Sequence, residues 1–459
     1  MTRGSLDVPG RVPRIAIVGG GPGGLFTAWH LEQAIAKPLS LTVFEASHRL
    51  GGKVHTPSFG SANVCYEAGA AEFYDYSPVG EDPLREMVSW LGLPTVPLGG
   101  ASVFLADRQF ANLNDVKDVF GAKVQKELIN FDVRSRSAMT PADFYESGSG
   151  HAIDAVPHRR FSDSLGELRS PETQTYIKAM IHSDLATEPM ETDLRYGLQN
   201  YLMNDPAYMQ LYCIAGGNEQ LIDAIAARLE ADVRFNVKVL AVREGDRGGM
   251  CLQYQRGEEI YHEEYDQVVL ALPMDALKCI SFQGHALCES MQKHVCHHDH
   301  PAHYLRVSVL LSQPVDRLPG DDAFLMLDSF GGTCLYIESA RDPRSDYGVL
   351  GWLLAGEPAV NMSKMNDETL VATVLDTLPP PLATCREHVI ESQVHRWTGA
   401  VSALPGGWKR QSEDKRHRPS PAHKNLFVVG DYLYDSTLNG VLDSAEYVAG
   451  WITAEKMNS

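Results

Sequence analysis

A short apolar run at Arg14–Val18, the glycine-rich turn behind it, and a helix-spaced segment leading into a second apolar run that ends at Glu45 together predict an α/β protein with a Rossmann-like, dinucleotide-binding first domain. The run RIAIV is apolar, β-branched and too short for a helix, which suits a buried parallel strand. LFTAWHLEQAIA, after the glycines, carries apolar residues at helical spacing, and LTVFE supplies the second strand. At 459 residues the chain is longer than one hydrophobic core usually organises, and 44% hydrophobic residues can fill two interlocked domains.

Further along, PLREMVSWLGL and TQTYIKAMIHSDLA read as helices, and the polar TPADFYESGSGHAIDAVPHRR between them as a loop or lid. GGNEQLIDAIAARLEADVRFNVKVLAVREG reads as a glycine turn, a helix and a strand, and YDQVVLALP as a buried strand stopped by Pro273. Strands and loops alternate from residue 286 to 394; NLFVVGD is then a strand and GVLDSAEYVAGWITAEKM a final helix. The expected cofactor domain is therefore assembled from three segments, 1–80, 206–285 and 395–459, with an inserted α+β substrate domain made of 81–205 and 286–394.

A formal net charge of -19 repels phosphate backbones and anionic headgroups, which argues against nucleic acid and membrane surfaces as partners. No apolar stretch is long enough for a membrane span, and MTRGSLDVPGRVPR lacks the apolar core of a signal peptide. Eight scattered cysteines suggest reduced thiols in a cytoplasmic protein. Cys296-His297-His298-Asp299-His300, with His303, invites a metal reading, but it lies in one short segment without a second ligand set and reads as an exposed loop, so no metal is expected. The oligomeric state is open, a homodimer being one outcome.

Gly19, Gly21 and Gly24 fit G-x-G-x-x-G: the first allows the tight turn, the second lets a pyrophosphate approach the backbone, and the third lets helix and strand pack. Glu45, closing the second strand, would accept from adenosine ribose hydroxyls. Glu45, Arg49, Gly51 and Gly52 then form E-x-x-x-R-x-G-G, which resembles the second fingerprint of the flavin-containing amine oxidase superfamily. That superfamily also includes L-amino-acid oxidases, protoporphyrinogen oxidases and phytoene-type desaturases. The resemblance implies FAD, with Arg49 on the diphosphate and Gly51-Gly52 close to the flavin. It extends to YEAGAAEF (Tyr66–Phe73), to Val239, whose backbone would meet the adenine, and to Ala271 and Pro273 at a strand end under the cofactor. It also covers Gly430-Asp431, whose carboxylate would bind a ribityl hydroxyl, and Thr437-Leu438, opening a last helix whose N–H groups would face the flavin pyrimidine edge. The run Gly440–Ala445 departs mildly from the family, which more often has Gly-Ala and Ser-Gly there.

Three further positions would carry substrate chemistry. Arg306 stands where the superfamily's amine oxidases commonly place a lysine near flavin N5, which opens electron acceptors other than oxygen; a surface arginine is the competing reading. Glu72 stands where related amino-acid oxidases often have a carboxylate-clamping arginine, and would attract an ammonium instead, unless it is only solvent-facing or salt-bridged. Trp397, and Trp408 beside it, resemble the aromatic segment over the flavin, and no cysteine lies nearby for covalent attachment, so FAD is expected to be non-covalent. The expected activity is hydride transfer from a small organic substrate, an amine first, to flavin N5, with oxygen or another electron acceptor. A C=C-forming desaturase, an L-amino-acid oxidase and a non-redox flavin-binding protein are the alternatives.

Overall fold

Apolar strands from three distant parts of the sequence meet side by side in the first unit of the protein. The computed structural model describes residues 12–35, 38–100, 102–148, 159–315, 323–341, 345–403, 411–434 and 436–457. The chain divides into a unit made of Met1–Lys53, Leu221–Asp299 and Arg410–Ser459, and a unit made of Val54–Gln220 and His300–Lys409.

In the first unit, parallel strands run in the order Leu426–Val428, Gln267–Leu270, Arg14–Val18, Ser40–Phe44, Asp232–Arg234. This is the parallel sheet expected of a Rossmann-like domain, and its central strand is RIAIV. Gly19 leaves that strand at φ +111°, and a Cβ there would stand 2.2 Å from the Ala271 carbonyl oxygen. The next turn opens the helix Pro22–Ala34, with Pro22 at the first position, where a missing N–H is harmless. The helix Leu438–Met457 packs against it. A second sheet joins Glu259–Tyr265, Met250–Arg256, Val237–Glu244 and Ser281–Gln283.

The histidine-rich segment is not an exposed loop. Cys296, His297 and His298 end the helix His285–His298, and His294 and His298 are buried against Tyr432. Among the described residues no group of three or more His, Cys, Asp or Glu is placed to hold a metal. Neither ring nitrogen of His294 has a hydrogen-bond partner among them. His417, close by, donates from Nδ1 to the Glu413 carbonyl at 3.0 Å and accepts at Nε2 from the Ser444 hydroxyl at 3.1 Å, which suits a neutral ring. Burial pushes both down to about 3, with His417 adding to the effect on His294 and Arg416 to that on His417. The folded state thus favours neutral rings. Their contribution to stability is complete above the unfolded value of 6.5 and is lost as the pH falls below it. Each should forfeit about 2 kcal/mol between pH 7 and pH 5. His294→Leu should therefore melt with a visibly shallower acid slope than the native protein; parallel slopes would sink this account.

In the second unit, strands run Val389–Ser402, Pro301–Leu311, Gly348–Ala355, Thr333–Ile337, Phe324–Leu327, Ser102–Leu105, Arg108–Phe110. Alternate residues divide between two cores. Val103, Met326, Cys334, Tyr336 and Leu353 face the helices Ala122–Ala138, Pro171–Leu185 and Leu194–Leu202, whereas Phe104, Leu325, Leu335 and Trp352 face Gly356–Met362 and Asp367–Leu375. Phe324–Leu327, Thr333–Ile337 and Gly348–Ala355 are covered on both sides, so these strands are buried throughout and do not alternate in sequence. A smaller sheet joins Phe73–Asp75, Gln210–Ile214 and Thr95–Leu98.

Two sequence expectations need correction here. The start of the loop-like 140–160 segment is a helix, Pro141–Gly148, and residues 149–158 lie outside the described set. The stretch 286–394 also holds the helices named above rather than strands and loops alone. No helix among the described residues is long and apolar enough to cross a membrane.

Candidate active site

The glycine turn and the Glu45–Lys53 loop build a backbone cradle in the first unit. A Cβ on Gly24 would stand 1.9 Å from the Gly19 carbonyl oxygen, so Gly24 is required by packing alone. A Cβ on Gly21 would meet nothing nearer than the Gly52 Cα, at 3.8 Å. Glu45 Oε2 accepts from Gly20 N at 2.8 Å and Oε1 from Ser47 N at 2.7 Å, which leaves the carboxylate further lone-pair directions. The Arg49 guanidinium donates to the Leu50 and Gly52 carbonyls at 2.9 and 2.7 Å and so braces its own loop. Gly51 and Gly52 both have positive φ, +99° and +53°. Val239 lies buried within the strand Val237–Glu244.

At the other end of the chain, Asp431 is buried beneath the strand end and accepts from Lys53 Nζ at 2.7 Å. The Thr437 hydroxyl accepts from Gly440 N at 3.0 Å and caps the helix that Leu438 begins. Glycine turn, acid at the strand end, Arg49 loop and Asp431 all belong to this one unit. Free backbone N–H groups, glycines without side chains in the way and a capped helix start are chemically suited to a dinucleotide.

In the second unit, Glu72, Arg306 and Trp397 are each tied into the fold. Arg306 is 1% exposed, which overturns the surface reading: its Nη2 donates to Glu338 Oε1 at 2.8 Å, and its guanidinium lies 5.0 Å over the Tyr336 ring. Glu72 is half-buried and makes no ion pair among the described residues; its Oε2 accepts from the Tyr336 hydroxyl at 2.7 Å. Trp397 pairs across the sheet with Tyr304 and donates from Nε1 to the Ala68 carbonyl at 2.6 Å. Trp408 lies outside the described residues. On the 140–160 segment, Arg159 pairs with Glu167 at 2.6 Å in exposed positions.

Sequence reasoning missed the groups that complete this cluster. Arg341 faces Glu67 at 3.1 Å and donates to the Ala71 carbonyl at 2.6 Å. Glu338 also accepts from the Glu67 backbone N at 2.8 Å. Burial pushes Glu67 up to about 7 against the opposing pull of Arg341. Glu72 is raised by burial too, with the Tyr336 hydrogen bond and the two arginines opposing. Asp184, near the end of Pro171–Leu185, is raised well above the usual carboxylate range, by burial and then by Glu72. Glu72, Tyr74, Asp184 and Tyr304 are half-buried. The one sequence signal for Asp184 was an acid in a helical segment, AMIHSDLA, that is otherwise without a charged residue.

A parallel sheet with a glycine cradle in the first unit, and an acidic and phenolic cluster in the second, are the features of a flavin-type oxidoreductase. The family of flavin containing amine oxidoreductases matches residues 22–453, and the chain belongs to it. Among curated proteins it is 23% identical, over 94% of its length and 96% of the relative's, to the flavin-dependent L-tryptophan oxidase RebO of Lentzea aerocolonigenes. Among solved structures, a putrescine oxidase redesigned in its cofactor binding shares the fold at a TM-score of 0.74, with 19% identity over 96% of this chain and 99% of that one. Cyclohexylamine oxidase from Brevibacterium oxydans shares it at 0.70, with 17% identity over 97% and 100%. The protein is thus an FAD-dependent oxidoreductase acting on a small molecule with an electron acceptor.

Proposed function

We propose that the protein oxidises an amine, with Glu72 in the substrate site and FAD held without a covalent bond. FAD held there would supply the hydride acceptor for the C–H next to the amine nitrogen, with oxygen or another acceptor to take the electrons. The chain's part is to bind and orient. Gly19, Gly21, Gly24, Glu45, Arg49, Gly51, Gly52, Val239, Gly430, Asp431, Thr437 and Leu438 would hold the cofactor; Trp397 would wall the substrate; Arg306 would hold Glu338 and Tyr336 in place.

The observation that carries this reading is the state of charge around Glu72. The two guanidinium groups near it are already matched, Arg306 by Glu338 and Arg341 by Glu67. Among the described residues Glu72 accepts from the Tyr336 hydroxyl alone. A cation entering the cluster finds a carboxyl group to pair with, whereas a carboxylate finds neighbours of its own sign. The tryptophan oxidase among the relatives keeps a second reading in view, an L-amino-acid oxidase in which Arg341 turns toward a substrate carboxylate.

The deciding comparison is the specificity constant for an amino acid against its decarboxylated amine. The amine should win by roughly tenfold or more, the equivalent of about 1.4 kcal/mol of charge repulsion avoided. Glu72→Gln should slow a cationic substrate and leave a neutral one little changed. An amino acid that clearly outruns its amine would hand the protein to the second reading. As for attachment, acid precipitation should release all the yellow colour into the supernatant, and colour left in the washed pellet would refute the non-covalent link.

A further inference from the structure

Asp431 stands just past the strand Leu426–Val428, and its carboxylate is restrained from the front by Lys53 Nζ at 2.7 Å and by Tyr432 N at 3.0 Å. A second set of contacts holds the same segment from behind, within the same unit. The short helix Glu413–His417 reaches both ends of Gly430–Leu433. At one end Arg416 Nη1 donates to the Leu433 carbonyl. At the other, Gly430 N donates to the Ser444 hydroxyl oxygen at 3.2 Å, and that oxygen lies 3.1 Å from His417 Nε2.

These contacts fit one arrangement of protons. A backbone N–H only donates, so the Ser444 oxygen accepts from Gly430 and its own proton goes elsewhere. The Glu413 carbonyl only accepts, so His417 Nδ1, 3.0 Å away, carries the ring proton. Nε2 of the neutral ring is then a lone pair, and it takes the Ser444 proton. Burial keeps the ring neutral against the pull of the Glu413 carbonyl. Ser444 and His417 are both fully buried, so bulk water does not compete for either.

A serine inside a helix has a rival partner, the carbonyl four residues back, which on Leu438–Met457 is that of Gly440. His417 decides between the two. It draws the hydroxyl proton away from the helix and leaves a lone pair on the oxygen for Gly430 N, which has no other acceptor among the described residues. Without the ring, the hydroxyl is free to turn back on its own helix, and the peptide in front of Asp431 loses its anchor.

We infer, on the reading above of Asp431 as a residue that holds FAD, that His417 is a positioning residue which acts through Ser444 and Gly430 to set the Asp431 carboxylate for the cofactor.

The ring also stacks on Tyr447, with centroids 5.1 Å apart, so its loss costs stability whatever it does for the cofactor. The test therefore reads FAD affinity, by ultrafiltration of the full chain purified with FAD, and takes melting of the same samples as a separate record. His417→Leu should weaken FAD roughly tenfold, whereas His417→Gln, whose amide oxygen can accept from Ser444, should stay within about threefold of native. Asp431→Asn alone should weaken FAD at least as much as His417→Leu, and adding His417→Leu to it should cost less than about threefold more. A loss that stays tenfold on top of Asp431→Asn, an equal loss in His417→Gln, or native affinity in a folded His417→Leu would each overturn the positioning role and leave Asp431 in the cofactor site. If Asp431→Asn binds FAD like the native protein, the reading of Asp431 falls and the role of His417 falls with it. Should His417→Leu not fold, Ser444→Ala breaks the same link while keeping the ring stack, and the same pair of comparisons with Asp431→Asn decides.

Discussion

Arg306→Ala is expected to lower the stability of the protein by about 3–5 kcal/mol, the usual result of removing one partner of a buried ion pair. Arg306 and Glu338 are 1% and 5% exposed, so the carboxylate left behind has no water to turn to. The Tyr336 ring would also lose the guanidinium lying 5.0 Å above it, and with that the group that helps aim its hydroxyl at Glu72. Chemical denaturation of the variant is the direct measurement. Combining Arg306→Met with Glu338→Gln should recover much of the loss, because the unpaired charge is then gone. A single variant within about 1 kcal/mol of native would mean that this pair is far better solvated than its burial implies.

The two glycines of the first turn should fail in different ways. Gly24→Val puts a Cβ 1.9 Å from the Gly19 carbonyl oxygen, backbone against backbone, and nothing flexible stands there to give way. That variant should not accumulate as folded protein. Gly21→Val meets only the Gly52 Cα at 3.8 Å, and its backbone is extended at φ −78° and ψ −176°, which valine adopts easily. It should fold, melt like the native apoprotein, and be purified without flavin, its affinity reduced at least roughly a hundredfold by side-chain bulk where the pyrophosphate must come close. Full flavin occupancy in Gly21→Val would show that the cradle is not where the phosphates lie.

The same turn shows why the nucleotide half of the protein could be read from sequence. A tight turn, a close approach and a packed helix start are local demands, and Gly19, Gly21 and Gly24 answer them within six residues. The substrate half answers to pairings between distant residues. Arg306 and Glu338 are 32 positions apart, and only the register of strands covered on both faces brings them together. Two helices hid for more particular reasons. In His285–His298, His294 and His298 take inward positions alongside Leu287 and Met291, so the buried face lacks the hydropathy that marks a core helix. Pro141–Gly148 did carry a signal: Thr140 and Asp143 cap each other around Pro141, with Asp143 N donating to the Thr140 hydroxyl at 3.2 Å and Thr140 N to Asp143 Oδ2 at 2.9 Å. The polar run that follows outweighed it.

The strand order of the parallel sheet also governs how the protein can be made. Arg14–Val18 leaves the ribosome before its sheet partners: its neighbour Gln267–Leu270 follows some 250 residues later, and Leu426–Val428 more than 400 residues later. The helix Leu438–Met457, which covers Pro22–Ala34, comes later still. A nascent chain therefore carries the oily edges of its first strands uncovered until those later segments emerge. Ribosomes stalled before residue 426 should hold chains that neither retain flavin nor resist protease over residues 14–44, and the transition to resistance should come only once Leu438–Met457 has emerged.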